Sequence, residues 1–353
     1  MKEIIESIKK GYTGDEKKDT AYLLEQLEKY KDNQPVLKEI YKLLFELLPK
    51  DVQDSFVGNI NEQKFEERLD EIQELLTHGQ SERALDYLDL SIQHIKKLYE
   101  DDKNVYKTFH TPFEAYFYSQ NRSDKTKAVK NSKLDFGIFY KFRGLALNDL
   151  GKYEEAEKDF IESFKWNDLD FEAIFGYATT LYNLKKYDEF YQFNLDTLKK
   201  CYTNNAIAHV YHNLGLYYMQ KNTKADDLLA YYIISYSISF SETEYAFRDL
   251  NTICEKYNMK KELAKDQDIF KAIKENKLPE APDFELIKFM VDTAKKFMGI
   301  KDEFALYVFK LIYALTHDEV TLAYIKQGEQ VIEAKKKANS EQVNCSFFVY
   351  IKL

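Results

Sequence analysis

The chain has 353 residues, 44% hydrophobic and 31% charged, which is the balance of a folded protein and excludes a disordered one. Its 51 basic and 60 acidic residues give a formal net charge of −9, which sets nucleic acid and anionic membranes aside as principal partners. With only 11 glycines and 5 prolines as punctuation, the elements must be long, and the Glu, Lys, Leu and Ala between them favour helix.

The first ten residues contain no apolar signal region, so a cytoplasmic, reducing location is expected. Residues 1–60 predict short helices broken by Gly11, Gly14, Pro35, Pro49 and Gly58 and acting as an amino-terminal helical cap. The best of them spans Val36 to Leu48, with Pro35 at its start and Pro49 after its end. Over 61–100, the spacing of Gly79, Ala84, Leu88 and Ser91 predicts the second half of a degenerate helix pair. Residues 101–136 read as an insertion. It holds one aromatic-rich helix, Pro112 to Gln120, then a polar loop from Asn121 to Lys133, expected to be the most flexible segment.

The strongest pattern follows. Tyr140, Gly144 and Leu147 share one helix face, Gly151 closes that helix, and Ala156, Phe160, Ser163 and Phe164 mark a second face. Gly144 and Ala156 are expected to meet where the two helices cross. Tyr187 follows Tyr153 by 34 residues, and Ala178 and Leu181 take the places of Gly144 and Leu147. Phe190, however, stands where a small residue belongs. A third unit, with Tyr211, Leu214, Gly215, Tyr218, Ala230, Ile234 and Ser237, needs about three extra residues in its turn. Weaker continuations lie at Ala264 and at Ala305 to Phe309. Pro279 and Pro282 break the chain before a final trio of helices ending near Lys337. The tail, Val343 to Ile351, predicts a short strand or, preferably, a segment lying along the last helix. The longest apolar stretch, Leu228 to Phe240, is broken by Ser235, Ser237 and Ser239 and is too short to span a bilayer.

These units resemble the tetratricopeptide repeat, strongly over about 138–240 and weakly over 61–100 and 241–337. The resemblance implies an all-α fold, a right-handed superhelical α-solenoid with 137–240 as its core array, 61–100 and 241–337 as atypical flanking pairs, and 338–353 as a tail. It also implies a binding surface for another protein or a peptide, not an enzyme. A looser resemblance rests on Thr108 to Tyr116, Phe164-Lys-Trp-Asn167, Lys277 to Pro282 and Leu315 to Glu319 in that order. That layout is similar to a tetratricopeptide-containing family of low-GC bacteria, and implies a complete protein with no assigned activity.

In such arrays the stripe one residue on from the buried face, rotated by about 100°, lines the concave groove. Carried over, the groove holds Lys141, Leu145 and Asn148 in the first unit, and Phe175, Thr179 and Tyr182 with Asn183 in the second. The third contributes His212, Leu216 and Met219, flanked by His209 and Asn213. Asn213 occupies a position where the family often places an asparagine that grips peptide backbones or carboxylates, and Lys141 is the one candidate for basic support. A peptide-sensing intracellular regulator is the alternative reading. An enzyme would need catalytic groups on insertions such as 101–136, where none is found.

The chain has no phosphate-binding glycine loop, Cys-x-x-Cys, His-Glu-x-x-His or Gly-x-Ser-x-Gly, so no cofactor and no metal are expected. Cys201, Cys254 and Cys345 lack paired spacing. His209 and His212 are one turn apart without a third ligand and read as ordinary helix histidines. His94, His110 and His317 stand alone in the sequence. The pairs Glu154–Glu155 and Asp226–Asp227 fall at turns or helix starts, where the helix dipole favours them.

Overall fold

The computed structural model describes residues 2–31, 33–47, 62–95, 101–132 and 135–349, with the side chains of the last helix described as far as Lys337. Those residues are mostly helical, with almost no strand. They divide into two compact units, Met1–Glu74 and Leu75–Leu353. The boundary expected at residue 60, Pro49, Gly58 and the tail's last residues all lie outside the described residues.

In the first unit, α1 (Lys2–Lys9), α2 (Glu16–Lys29) and α3 (Gln34–Glu46) enclose Ile8, Leu23, Val36, Ile40 and Leu43. Asp15 caps α2 by accepting from the N–H groups of Lys17 and Lys18, which the helix itself leaves unpaired. Pro35 sits in the first turn of α3, as its sequence position predicts. A fourth helix, α4 (Glu62–Thr77), contains the point of division.

The second unit begins with α5 (Ser81–Ile95), entered through Gly79 at φ +67°, a conformation that costs a residue without Cβ least. Next come β1 (Asn104–Lys107), α6 (Pro112–Asn121) and β2 (Ala128–Asn131). The helix is where the sequence puts it, capped by Thr111. The polar loop is not loop throughout, because 128–131 pair in parallel with 104–107. Ala128-Val-Lys-Asn131 has a single β-branched residue and no alternation, so it carries no strand signal of its own. Nor does α6 merely interrupt the helices. Phe113 is fully buried, its ring 5.0 Å from Tyr202 and 6.3 Å from Phe289. The buried Glu114 carboxylate accepts from the His110 N–H, the Asn167 amide and the Tyr202 hydroxyl.

Seven helices follow: α7 (Gly137–Asp149), α8 (Tyr153–Trp166), α9 (Phe171–Asn183), α10 (Tyr187–Leu198), α11 (Asn204–Met219), α12 (Lys224–Phe240) and α13 (Glu244–Lys256). Each packs on its successor, α7 and α9 touch, as do α9 and α11, and α5 packs on α7. Gly151 closes α7 at φ +71°, and the Lys152 N–H reaches back to the Leu147 carbonyl at 2.8 Å. A Cβ at Gly144 would stand 2.8 Å from the ring of Phe160, so that ring fills the space glycine leaves, in the same cluster as the fully buried Ala156. The same arrangement recurs in the third pair, where Ile234 lies over Gly215. The three residues that separate the two spacings do not sit mainly in the turn. They start α12 at Lys224, nearly one helical turn earlier relative to Ile234 than α8 starts relative to Phe160.

Beyond them, α14 (Asp266–Glu275) packs on α12, and α15 (Phe284–Phe297), α16 (Asp302–Thr316) and α17 (Glu319–Val349) pack in sequence. The trio is as expected, but its last helix does not end near Lys337. The tail through Val349 continues it, neither as a strand nor as a separate segment, because no Gly or Pro after Gly328 stops the helix. The serines within the apolar stretch of α12 are paired internally: Ser237 donates to the Ala208 carbonyl, and Ser235 accepts from the Ala264 N–H. Among the described residues no helix is long and apolar enough to cross a membrane.

Candidate binding surface

The first helix of each pair (α7, α9, α11, then α13) meets the next through side chains one residue on from its buried stripe. Lys141 is buried and lies 3.1 Å from Asp170 and 2.7 Å from Glu172 at the start of α9. Burial opposes its charge, but the two carboxylates outweigh burial and raise its pKa. Leu145 packs beside Gly176. Asn148 donates to the Gly176 carbonyl at 3.1 Å and accepts from the Thr180 hydroxyl at 2.9 Å. Between α9 and α11, Phe175 stacks flat on His209 with ring centres 3.9 Å apart. Between α11 and α13, His209 Nδ1 and the Tyr245 hydroxyl are 3.0 Å apart, and His212 Nε2 is 2.9 Å from Asp249. Asn213 turns instead to α10, donating to Asn194 at 2.9 Å.

Burial, helped by neighbouring His212, lowers the His209 pKa to about 4, so this ring is neutral in the stack. Burial alone would raise Asp249, yet its hydrogen bonds to His212 and Arg248 hold it below the usual value. Neither histidine stands free for a metal, and no group of three His, Cys, Asp or Glu among the described residues is arranged to hold one. His110 is not alone either. Its hydrogen bond to Asp135, 2.9 Å long, raises its pKa against the effect of burial. His317 closes α16 in the left-handed region with its ring against Tyr313, and the side chain of His94 lies outside those described. The paired carboxylates occupy the first turns of α8 and α12 as expected, and Asp227 also accepts from Lys256 and Tyr257.

What remains open on the stripe is a shorter set. Thr179 and Asn183 are exposed, while Leu216 and Met219 are half-buried, as is Tyr182 against Tyr187 and Phe190. The stripe also continues into a helix that the repeat pattern did not single out. In α13, Ala246, Leu250 and Ile253 are buried, and one residue on from the first two stand Phe247 and Asn251. Together with Thr243, Arg248, Thr252 and Glu255 they line an open cleft of about 670 Å³. The helical spacing of the buried trio was the available signal for it. The Asn183 and Asn251 amides make no hydrogen bond among the described residues. No family model matches this chain, and no curated protein matches it.

Proposed function

We propose that this chain is a non-catalytic, cytoplasmic scaffold. In this reading it is a right-handed solenoid of tetratricopeptide type whose wall of first helices, from α9 to α13, holds an extended or helical segment of another protein. The observation that carries the proposal is the run of Thr179, Tyr182, Asn183, Leu216, Phe247 and Asn251. It pairs partly exposed apolar surface with amides that have no partner among the described residues, which is what a peptide backbone with apolar side chains requires. Lys141, Asn148, His212 and Asn213 support the same wall from within, since their polar atoms are already engaged between helices.

The test is selection of binders from a displayed random-peptide library, followed by titration of the selected peptide against single alanine variants. Tyr182→Ala, Phe247→Ala or Asn251→Ala should weaken binding by about 2 kcal/mol in at least one case. The melting temperature should hold. A selected peptide indifferent to all three removes the wall as the site. A second reading, the peptide-sensing regulator, draws support from the division of the chain into an amino-terminal unit of residues 1–74 and a larger unit that carries the wall.

A further inference from the structure

The two-stranded ladder in residues 101–132 offers a surface of a different kind. Ala128 and Ser132 donate their N–H groups to the carbonyls of Lys103 and Lys107, at 2.8 and 2.7 Å. In a parallel ladder alternate residues face the partner strand, so Val129 and Asn131 point their N–H and C=O groups away from β1. Among the described residues these backbone groups have no partner. The far edge of β1 differs. Asn104 bonds to Asp101 through both its N–H and its carbonyl, and the Thr108 N–H donates to the Trp166 carbonyl. The outer edge of β1 is therefore tied down at both ends, whereas that of β2 is open along its length.

The open edge is also a basic part of an acidic chain. Residues 121–132 hold Arg122, Lys125, Lys127 and Lys130 against the single acid Asp124, whereas the whole chain carries −9. Asp124 is turned inward on Thr126, and Lys125 and Lys130 make no ion pair among the described residues. A second copy is a poor occupant, because pairing β2 with β2 would bring two basic segments together. Two strands are also the weakest form of sheet, and a third adds most where the ladder is short.

We propose that the β2 edge receives an extended, acidic segment of another protein as a third strand, through the outward amides of Val129 and Asn131 and the charges of Lys125 and Lys130. This site is separate from the helical wall and does not depend on it.

The probe is a fluorescein-labelled octapeptide of alternating valine and glutamate, titrated by anisotropy at low salt against the full chain. Its lysine counterpart and two forms with alternate backbone nitrogens methylated, one in each register, serve as controls. Saturable binding is expected, about tenfold or more tighter than the lysine peptide and lost on methylation in one register. Hydrogen exchange should slow at Val129 and Asn131 on binding. Val129→Pro removes only an outward N–H and should weaken binding about tenfold, and Lys125→Glu/Lys130→Glu should weaken it several-fold. No saturable binding overturns the proposal, as does equal binding by all methylated forms, which tests unaltered protein should Val129→Pro misfold. Indifference to the charge reversals returns the edge to a neutral role. A dimer in sedimentation that Val129→Pro abolishes, with no peptide bound, assigns the edge to a second copy instead.

Discussion

The pairs α7–α8 and α9–α10 stand 34 residues apart and fill their interiors differently. In the first, the fully buried Phe160 ring lies against Gly144 on one helix and Gly176 on the next. In the second, Ala178 replaces Gly144, Phe190 replaces Ala156 and Asn194 replaces Phe160. The ring has moved one turn toward the start of the second helix. The amide in its old place donates to the Phe190 carbonyl and accepts from Asn213. Position by position, the second pair looks degenerate. By volume it is not, since each pair buries one ring of its second helix beside a small residue of its first. Interiors are selected for filled space, and a motif records only one way of filling it.

The largest expected effect tests that equivalence directly. Phe160→Ala and Phe190→Ala should each cost about 3–5 kcal/mol in denaturant unfolding, the range for deleting a buried ring. If Phe190→Ala costs under half as much as Phe160→Ala, the second pair is degenerate in packing as well as in motif. Next in size, Gly144→Ala should cost about 1–3 kcal/mol. The ring it meets at 2.8 Å cannot retreat, because Gly176 already receives its other side. The reverse change in the sister pair, Ala178→Gly, should cost no more than about 1 kcal/mol, a matter of helix propensity. Phe160→Leu added to Gly144→Ala should restore part of the loss. Simple additivity of the two would mean that glycine and ring do not meet.

How much of this was legible follows from what each feature depends on. The helices show in the sequence because burial imposes a 3.6-residue period, and Gly79 and Gly151 show because a left-handed residue favours glycine. The strand 128–131 did not show, since its pairing partner lies more than twenty residues away and its own residues carry no pattern. The role of α6 was hidden for the same reason. Its aromatic residues announce a helix, but Phe289, Phe297 and Phe304, which surround Tyr116, come from the far end of the chain. On the candidate wall, rotating one residue from the buried stripe names the side chains. It cannot say that Asp170, Thr180 and Asp249 will meet Lys141, Asn148 and His212, because the repeat spacing sets equivalent positions on successive first helices and not which of their side chains touch. Phe247 and Asn251 were within reach of the same rotation but lay beyond the last clear repeat.

The seams between first helices sharpen the comparison through pH. The α7–α9 seam is ionic, Lys141 with Asp170 and Glu172, whereas the α9–α11 seam is a neutral stack of Phe175 on His209. With its folded pKa lowered to about 4, His209 binds protons less readily than in the unfolded chain. Between the ordinary histidine value, about 6.5, and 4 the unfolded state therefore holds more protons, and stability falls as pH falls. Asp159 works in the opposite direction, its carboxyl raised to about 6 by burial despite the adjacent Arg143. The difference between variants isolates the histidine. His209→Phe keeps the stack, and between pH 7 and 5 it should lose about 2 kcal/mol less stability than the unaltered chain. Parallel pH profiles would show that His209 is not held neutral.

The smallest effect concerns how the two pairs close their first helices. Gly151 at φ +71° and Lys185 at φ +58° occupy equivalent positions 34 residues apart. Each stands in the same capping arrangement, with Lys152 donating to Leu147 at 2.8 Å and Lys186 to Leu181 at 3.0 Å. A Cβ at Gly151 would meet nothing within 4 Å, so Gly151→Ala changes only backbone preference and should cost about 1 kcal/mol. Lys185 already bears that strain. Its side chain is exposed and makes no ion pair among the described residues, so it offers little in return. Lys185→Gly should therefore stabilise, by less than about 1 kcal/mol, because glycine also adds freedom to the unfolded chain. Opposite signs for the two substitutions, read as shifts in denaturation midpoint at constant slope, are the expected result. Loss of stability in both would mean that the lysine stem contributes packing at the cap, and that the second pair closes by a different balance of forces from the first.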